Sequence, residues 1–125
     1  GIFAAGNVAV VFDLVDYVSA SGVTAAKGAL KFIRGELLEN PEYRAVKPGE
    51  NVNFIVPQRV RANATEKTNF YLRVKKPMTK VQLTCEEEQK VIANKREAHA
   101  APPEMMAFSA QAGGKDDILV SVKEV

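Results

Sequence analysis

A histidine, a cysteine and three consecutive glutamates are the residues whose chemistry suits catalysis or metal binding. Their spacing argues against both. His99 is the only histidine in the chain and stands among alanines and prolines in KREAHAAPPE. A general acid or base needs a second group to orient it, so His99 reads as a surface or loop residue. Cys85 ends the alternating run Val81-Gln82-Leu83-Thr84-Cys85 on the inward side of a strand, where a thiol behaves as a small inert hydrophobe. Glu86-Glu87-Glu88 follow directly. Consecutive carboxylates in a hairpin turn point in different directions, which makes a solvated turn and a poor cation site. Asn63-Ala64-Thr65 fits a glycosylation sequon by chance, with no leader sequence ahead of it. RVRANATEK places Arg59, Arg61 and Lys67 without interleaved aromatics, so it reads as a solvated loop and not as a nucleic-acid patch. Met105-Met106 would suit an adaptable recognition surface, but Met106 is in register with Phe108 and reads as core. No P-loop, zinc spacing or hydrolase elbow occurs.

The elements that position these residues come in two kinds. The chain has 125 residues, 46% of them apolar and 26% charged, with a formal net charge of +2. That is the composition of a folded chain of about one domain. The charge is too small to imply nucleic acid as a partner, and no apolar run is long enough to span a membrane. A single cysteine excludes an internal disulfide and fits the reducing cytoplasm.

Up to about residue 40 the pattern is α/β. Ile2-Phe3-Ala4-Ala5 is a continuous apolar run ending at Gly6, as expected of a strand in a parallel sheet. A helix is predicted from near Asp16 to Leu38 or Glu39, because Pro41 follows Asn40. Val23, Ala26, Leu30, Ile33 and Leu37 form its apolar stripe. Its first half is rich in Ser, Ala and Gly, which permits close approach of another backbone or a flat ligand. Residues 41–49 read as a linker, with a turn at Pro48-Gly49.

From residue 50 the period becomes 2. Val52, Phe54 and Val56, then Phe70, Leu72 and Val74, then Val81, Leu83 and Cys85 each define one face of a strand. A weaker run covers Gln89–Asn94, and Met106 with Phe108 and Ile118 with Val120 and Val122 supply two more strands. Such short strands separated by turn signals predict an antiparallel, immunoglobulin-like β-sandwich over residues 50–125.

One motif carries a specific signal. GIFAAGN resembles the second FAD-contacting motif of the pyridine nucleotide-disulfide oxidoreductase family, which includes thioredoxin-reductase-like flavoproteins. The family pattern is Gly, Ile or Val, Phe or Tyr, Ala, any residue, Gly, Asp. DYVSASGVTAAKGALKFI resembles the helix that follows shortly after it, and the resemblance covers residues 1–38. The later run from NFIVPQRV to DDILVSVKEV is similar to the extra C-terminal β-sandwich of a bacterial FAD/NAD(P)-dependent subfamily.

The resemblance implies that residues 1–40 are a strand-turn-helix remnant of an α/β FAD-binding domain. Gly6 would let the backbone approach the cofactor, and Asn7 would hydrogen-bond the ribityl chain or the pyrophosphate edge. Asp16 and Tyr17 would lie near the isoalloxazine. Asn7 departs from the family's aspartate. The family's G-x-G-x-x-G fingerprint, its NAD(P)-binding insert and its redox cysteine pair are absent from these 125 residues. FAD and NAD(P) are therefore expected in an intact parent and not in this chain alone. The expected partner is the remainder of that flavoprotein. The unpaired apolar strand and stripe would otherwise leave the N-terminal segment disordered or self-associating as a homodimer. The competing expectation is an independent immunoglobulin-like binding module with no redox role.

Overall fold

Alternating apolar and polar residues fold as strands where a neighbouring strand is available to pair with them. The computed structural model describes residues 1–125, and the chain divides into two units, Gly1–Asn40 and Pro41–Val125. The second unit contains β1 (Tyr43–Pro48), β2 (Val52–Val56), β3 (Arg59–Arg61), β4 (Thr68–Val74), β5 (Met78–Glu87), β6 (Lys90–Ala100), β7 (Met106–Ala110) and β8 (Ile118–Glu124). They form a five-stranded sheet in the order β3-β1-β8-β5-β6 and a three-stranded sheet in the order β2-β4-β7. Both sheets contribute to one apolar core, so the unit is a β-sandwich.

The side chains at its centre are those that the period-2 pattern selects. Phe70, Leu72, Val81, Leu83, Cys85, Ile118, Val120 and Val122 are fully buried, and Val74 nearly so. The rings of Phe70 and Phe108 stack across the β4–β7 pair with centroids 5.0 Å apart. Met105 and Met106 are both buried, so neither contributes to a recognition surface.

Three expectations are corrected in this unit. Residues 43–48 are not a linker. They form β1, which pairs antiparallel with β3 and parallel with β8. The sandwich is therefore not wholly antiparallel. A parallel pair needs a long connection between its strands, and almost the whole sandwich lies between β1 and β8. Finally, β2 does not present Val52, Phe54 and Val56 to one side. Its register shifts between Val52 and Phe54, so Val52 and Ile55 are buried while Phe54 and Val56 are only half-buried. A bulge of this kind inserts one residue and reverses the alternation beyond it.

The first unit is built differently. Ile2–Ala5 is not a strand: no neighbouring strand satisfies its backbone groups, and it runs as irregular chain into a 3-10 turn, Gly6–Val8. Helix α1 spans Val15–Ile33, ending about five residues before the Pro41 signal suggested. The stop is Gly35, at φ +70°. Glu36 N–H donates to Lys31 O at 2.9 Å and Gly35 N–H to Phe32 O at 3.1 Å, which is the Schellman arrangement.

The two faces of α1 also exchange their expected roles. Val23, Ala26, Leu30 and Ile33 are exposed, so the stripe covers no core. The small-residue face is the one that packs. Phe3 lies against it so closely that a Cβ on Gly28 would stand 3.1 Å from the Phe3 ring, and Phe3 meets Phe32 edge-on at 6.2 Å. Gly6 N–H donates to Ser21 Oγ at 2.8 Å, and that hydroxyl donates to Val18 O at 2.7 Å. No residue of the unit is buried. No helix in the chain is long and apolar enough to cross a membrane.

Burial at this contrast sets local stability, because amides covered by few apolar contacts open without global unfolding. Native-state hydrogen exchange should therefore show α1 exchanging several orders of magnitude faster than the central strands β5 and β8. Equal protection in the helix and these strands would contradict this division.

Candidate functional site

Gly6, Asn7, Asp16 and Tyr17 all lie in the first unit, where the 3-10 turn and its following loop return to the start of α1. Gly6 has φ +64°, a conformation open to glycine at no steric cost. Its carbonyl accepts Ala9 N–H at 3.0 Å and Val10 N–H at 3.3 Å, which closes the turn. Asn7 is exposed, and its Oδ1 accepts Phe12 N–H at 3.2 Å. Phe12 in turn tilts against the Tyr17 ring at 6.4 Å. Asn7 and Tyr17 thus share one neighbour, Phe12, while Asp16 stands exposed in the first turn of the helix. The residue before the helix, Leu14, provides no side-chain cap. The first N–H groups of α1 consequently have no partner from a capping side chain, and their partial positive charge suits an acceptor.

A second polar cluster was not legible in the sequence. It lies at one end of the sandwich, where β1, the end of β5 and the loop before β8 meet. Arg44 is buried on the core side of β1, with its side chain 1% exposed, and its guanidinium pairs with the Glu87 carboxylate. The same Nη1 also donates to Asp116 O at 3.1 Å, while Nε and Nη2 are buried without a partner. Burial lowers the Arg44 pKa, opposed by the nearby acidic groups. The middle glutamate of Glu86-Glu87-Glu88 is therefore an internal counter-ion at the end of β5; of the solvated turn expected for that stretch only Glu88 remains, exposed in the turn before β6. Gly114 closes the cluster: a Cβ there would collide with the Glu87 carboxylate.

The loops around the cluster carry further carboxylates. Asp117 Oδ1 accepts Ala45 N–H at 3.0 Å and its Oδ2 pairs with Lys47 at 2.6 Å. Hydrogen bonds from Lys47 and from the Ala45 backbone hold its pKa below the usual carboxylate value. Glu88 is raised, chiefly by a hydrogen bond shared with Asp116. No group of three or more His, Cys, Asp or Glu side chains is placed to hold a metal ion.

The remaining candidates form no site. His99 is on β6, not in a loop; it is exposed and lies 3.5 Å from Glu104. Arg59 and Arg61 belong to β3, not to a loop, and Arg59 lies over the Tyr43 ring at 5.0 Å. Cys85 is buried, and desolvation pushes its pKa up to about 11. Comparison with protein-family models, with curated proteins and with solved structures finds no match to this chain.

Breaking a buried ion pair leaves an uncompensated charge, whereas replacing both partners removes it. Arg44→Met should thus destabilise the sandwich by about 3–5 kcal/mol, and the double change Arg44→Met with Glu87→Met should recover most of that loss in denaturant unfolding. Cys85 should resist thiol reagents until the chain unfolds. Its folded pKa is raised, so the unfolded state loses the thiol proton first as pH increases. Stability should therefore fall between about pH 9 and pH 11, and a Cys85→Ala variant should lack this component of the pH profile.

Proposed function

We propose that residues 1–40 form the cofactor-side turn and helix of a FAD-dependent, NAD(P)H-oxidising flavoprotein. The β-sandwich, immunoglobulin-like in type, would then be a docking or oligomerisation module without catalytic groups. One observation carries this reading. The first unit has no buried residue, yet eleven of the fifteen exposed large hydrophobic side chains in the chain lie within it. A segment of this kind gains stability by covering that surface with a larger domain.

The residues present fit the cofactor that the GIFAAGN resemblance implies. Asn7 is exposed and spends only its oxygen within the loop, so its amide N–H groups remain available as donors. Gly6 keeps a side chain out of the turn, and the uncapped start of α1 offers backbone N–H groups. Tyr17 is steadied by Phe12. In this reading Asn7 binds the ribityl or pyrophosphate edge, and Asp16 and Tyr17 lie beside the isoalloxazine. FAD, when bound, accepts a hydride from NAD(P)H and passes the electrons to an acceptor.

A second reading, an independent interaction module with no redox role, draws on one observation: every buried residue belongs to the sandwich. Expression of the complete reading frame that encodes this chain distinguishes the two. The product should be yellow and should be bleached by NAD(P)H. Asn7→Ala should weaken flavin retention about tenfold, as loss of one hydrogen bond to an anionic or strongly polar group does. The 125-residue chain alone should leave FAD fluorescence unquenched. A colourless complete product would leave the interaction module as the surviving reading.

A further inference from the structure

The N-terminal segment lies along one face of α1. Tyr17, Ser21, Gly28 and Phe32 are four, seven and four residues apart, which puts them on a single side of a helix with about 3.6 residues per turn. The segment meets them in reverse order. Phe12 tilts against Tyr17 at 6.4 Å, and Gly6 N–H donates to Ser21 Oγ at 2.8 Å. Phe3 lies over Gly28 and meets Phe32 edge-on at 6.2 Å. Residues 3–12 therefore run antiparallel to the helix, with the Ser21 bond between two aromatic contacts.

The contacts differ in what they specify. Ring contacts accept a range of offsets, and the Gly and Ala residues of this face admit a ring at more than one level. Aromatic packing alone would let the segment slip by one helical turn, about 5.4 Å. The Ser21 hydroxyl is directional. It donates to Val18 O at 2.7 Å within the helix, which aims its lone pairs at the Gly6 N–H. Slippage by four residues sets Gly6 against Tyr17 or Ala25. Ala25 has no acceptor side chain, and Tyr17 holds its hydroxyl at the far end of the ring. The half-buried Gly6 N–H keeps its partner in one register.

We propose that Ser21 is the positioning residue of the Gly6-Asn7 turn, its hydroxyl setting the register of residues 3–12 on α1. That register places Asn7 beside the start of the helix. Asn7 follows Gly6 directly, and its Oδ1 accepts the N–H of Phe12, the residue that meets Tyr17. Resting on the flavoprotein reading, the same bond keeps Asn7, Asp16 and Tyr17 grouped for the flavin.

The test begins with the 125-residue chain and no flavin. Ser21→Ala removes the acceptor but raises intrinsic helix propensity, so a loosened turn would not reflect a weaker helix. In Ser21→Ala the nuclear Overhauser contacts from Phe3 to Gly28 and from Phe12 to Tyr17 should be lost, with helical circular dichroism retained. Ser21→Thr, which keeps the hydroxyl, should retain both contacts. So should Thr24→Ala, which removes an exposed hydroxyl that donates to Ala20 O at 3.0 Å. Both contacts persisting in Ser21→Ala would overturn the proposal, as would their equal loss in Thr24→Ala. In the product of the complete reading frame, Ser21→Ala should weaken flavin retention about tenfold and shift the visible bands of the flavin that stays bound. Ser21→Thr should restore both. A yellow product whose Ser21→Ala variant holds flavin equally tightly, with the same spectrum, overturns the link to the cofactor. A colourless unaltered product overturns the flavoprotein reading itself, while the contacts in the 125-residue chain still decide the register.

Discussion

Everything ordered in the second unit depends on burial of one apolar layer between two sheets. Phe70 and Leu72 on β4 face Val81, Leu83 and Cys85 on β5 and Ile118, Val120 and Val122 on β8, and all are removed from water. A core of this size offsets the conformational entropy of the chain only if the sheets close around it. Each end and each side of the layer therefore needs a solution of its own. At one end the solution is ionic, with Arg44, Glu87 and the Asp116 carbonyl under Gly114. On the β6–β7 side it is Lys95 with Glu97 and the Ala107 carbonyl. On the outer face, Ser121 is buried because its hydroxyl accepts the Glu50 N–H.

The first unit meets the opposite condition. Its contacts are local and are made by small residues: Phe3 over Gly28, Gly6 on Ser21, Asn7 on Phe12. These fix the shape of a turn and a helix without enclosing a core. Its apolar side chains face outward. That combination, a precise turn at Gly6-Asn7 beside an uncapped helix start, is what the proposed cofactor-side reading of this unit draws on. In the sandwich the one buried ion pair, Arg44 with Glu87, is spent inside the fold.

How far the site was legible follows from the range of the interactions. The Gly6-Asn7 turn is set by residues within a few positions of one another, and so it could be read from GIFAAGN. The Arg44–Glu87 pair joins residues 43 positions apart. No local pattern marks Arg44, because a single arginine in a stretch that reads as a linker looks solvated. Its one available signal was the alternation of Arg44 with Val46 on β1, which puts both on the inward face.

By itself the sequence determined the period-2 strands β4, β5, β7 and β8 and the inward residues on each. The pleat assigns alternate side chains to opposite faces without reference to a partner. It also determined that one helix follows the first turn, since Val23, Ala26, Leu30, Ile33 and Leu37 recur at helical spacing. Only the tertiary structure decided which surfaces those elements cover. Pairing made a central strand of Tyr43–Pro48 and denied one to Ile2–Ala5, because a strand exists only where another strand completes its hydrogen bonds. The bulge in β2 turned Phe54 outward, and Phe3 chose the small face of α1 over the apolar stripe because only glycine and alanine admit a ring that close. Strand pairing and side-chain fit are properties of neighbours distant in sequence, and local composition does not encode them.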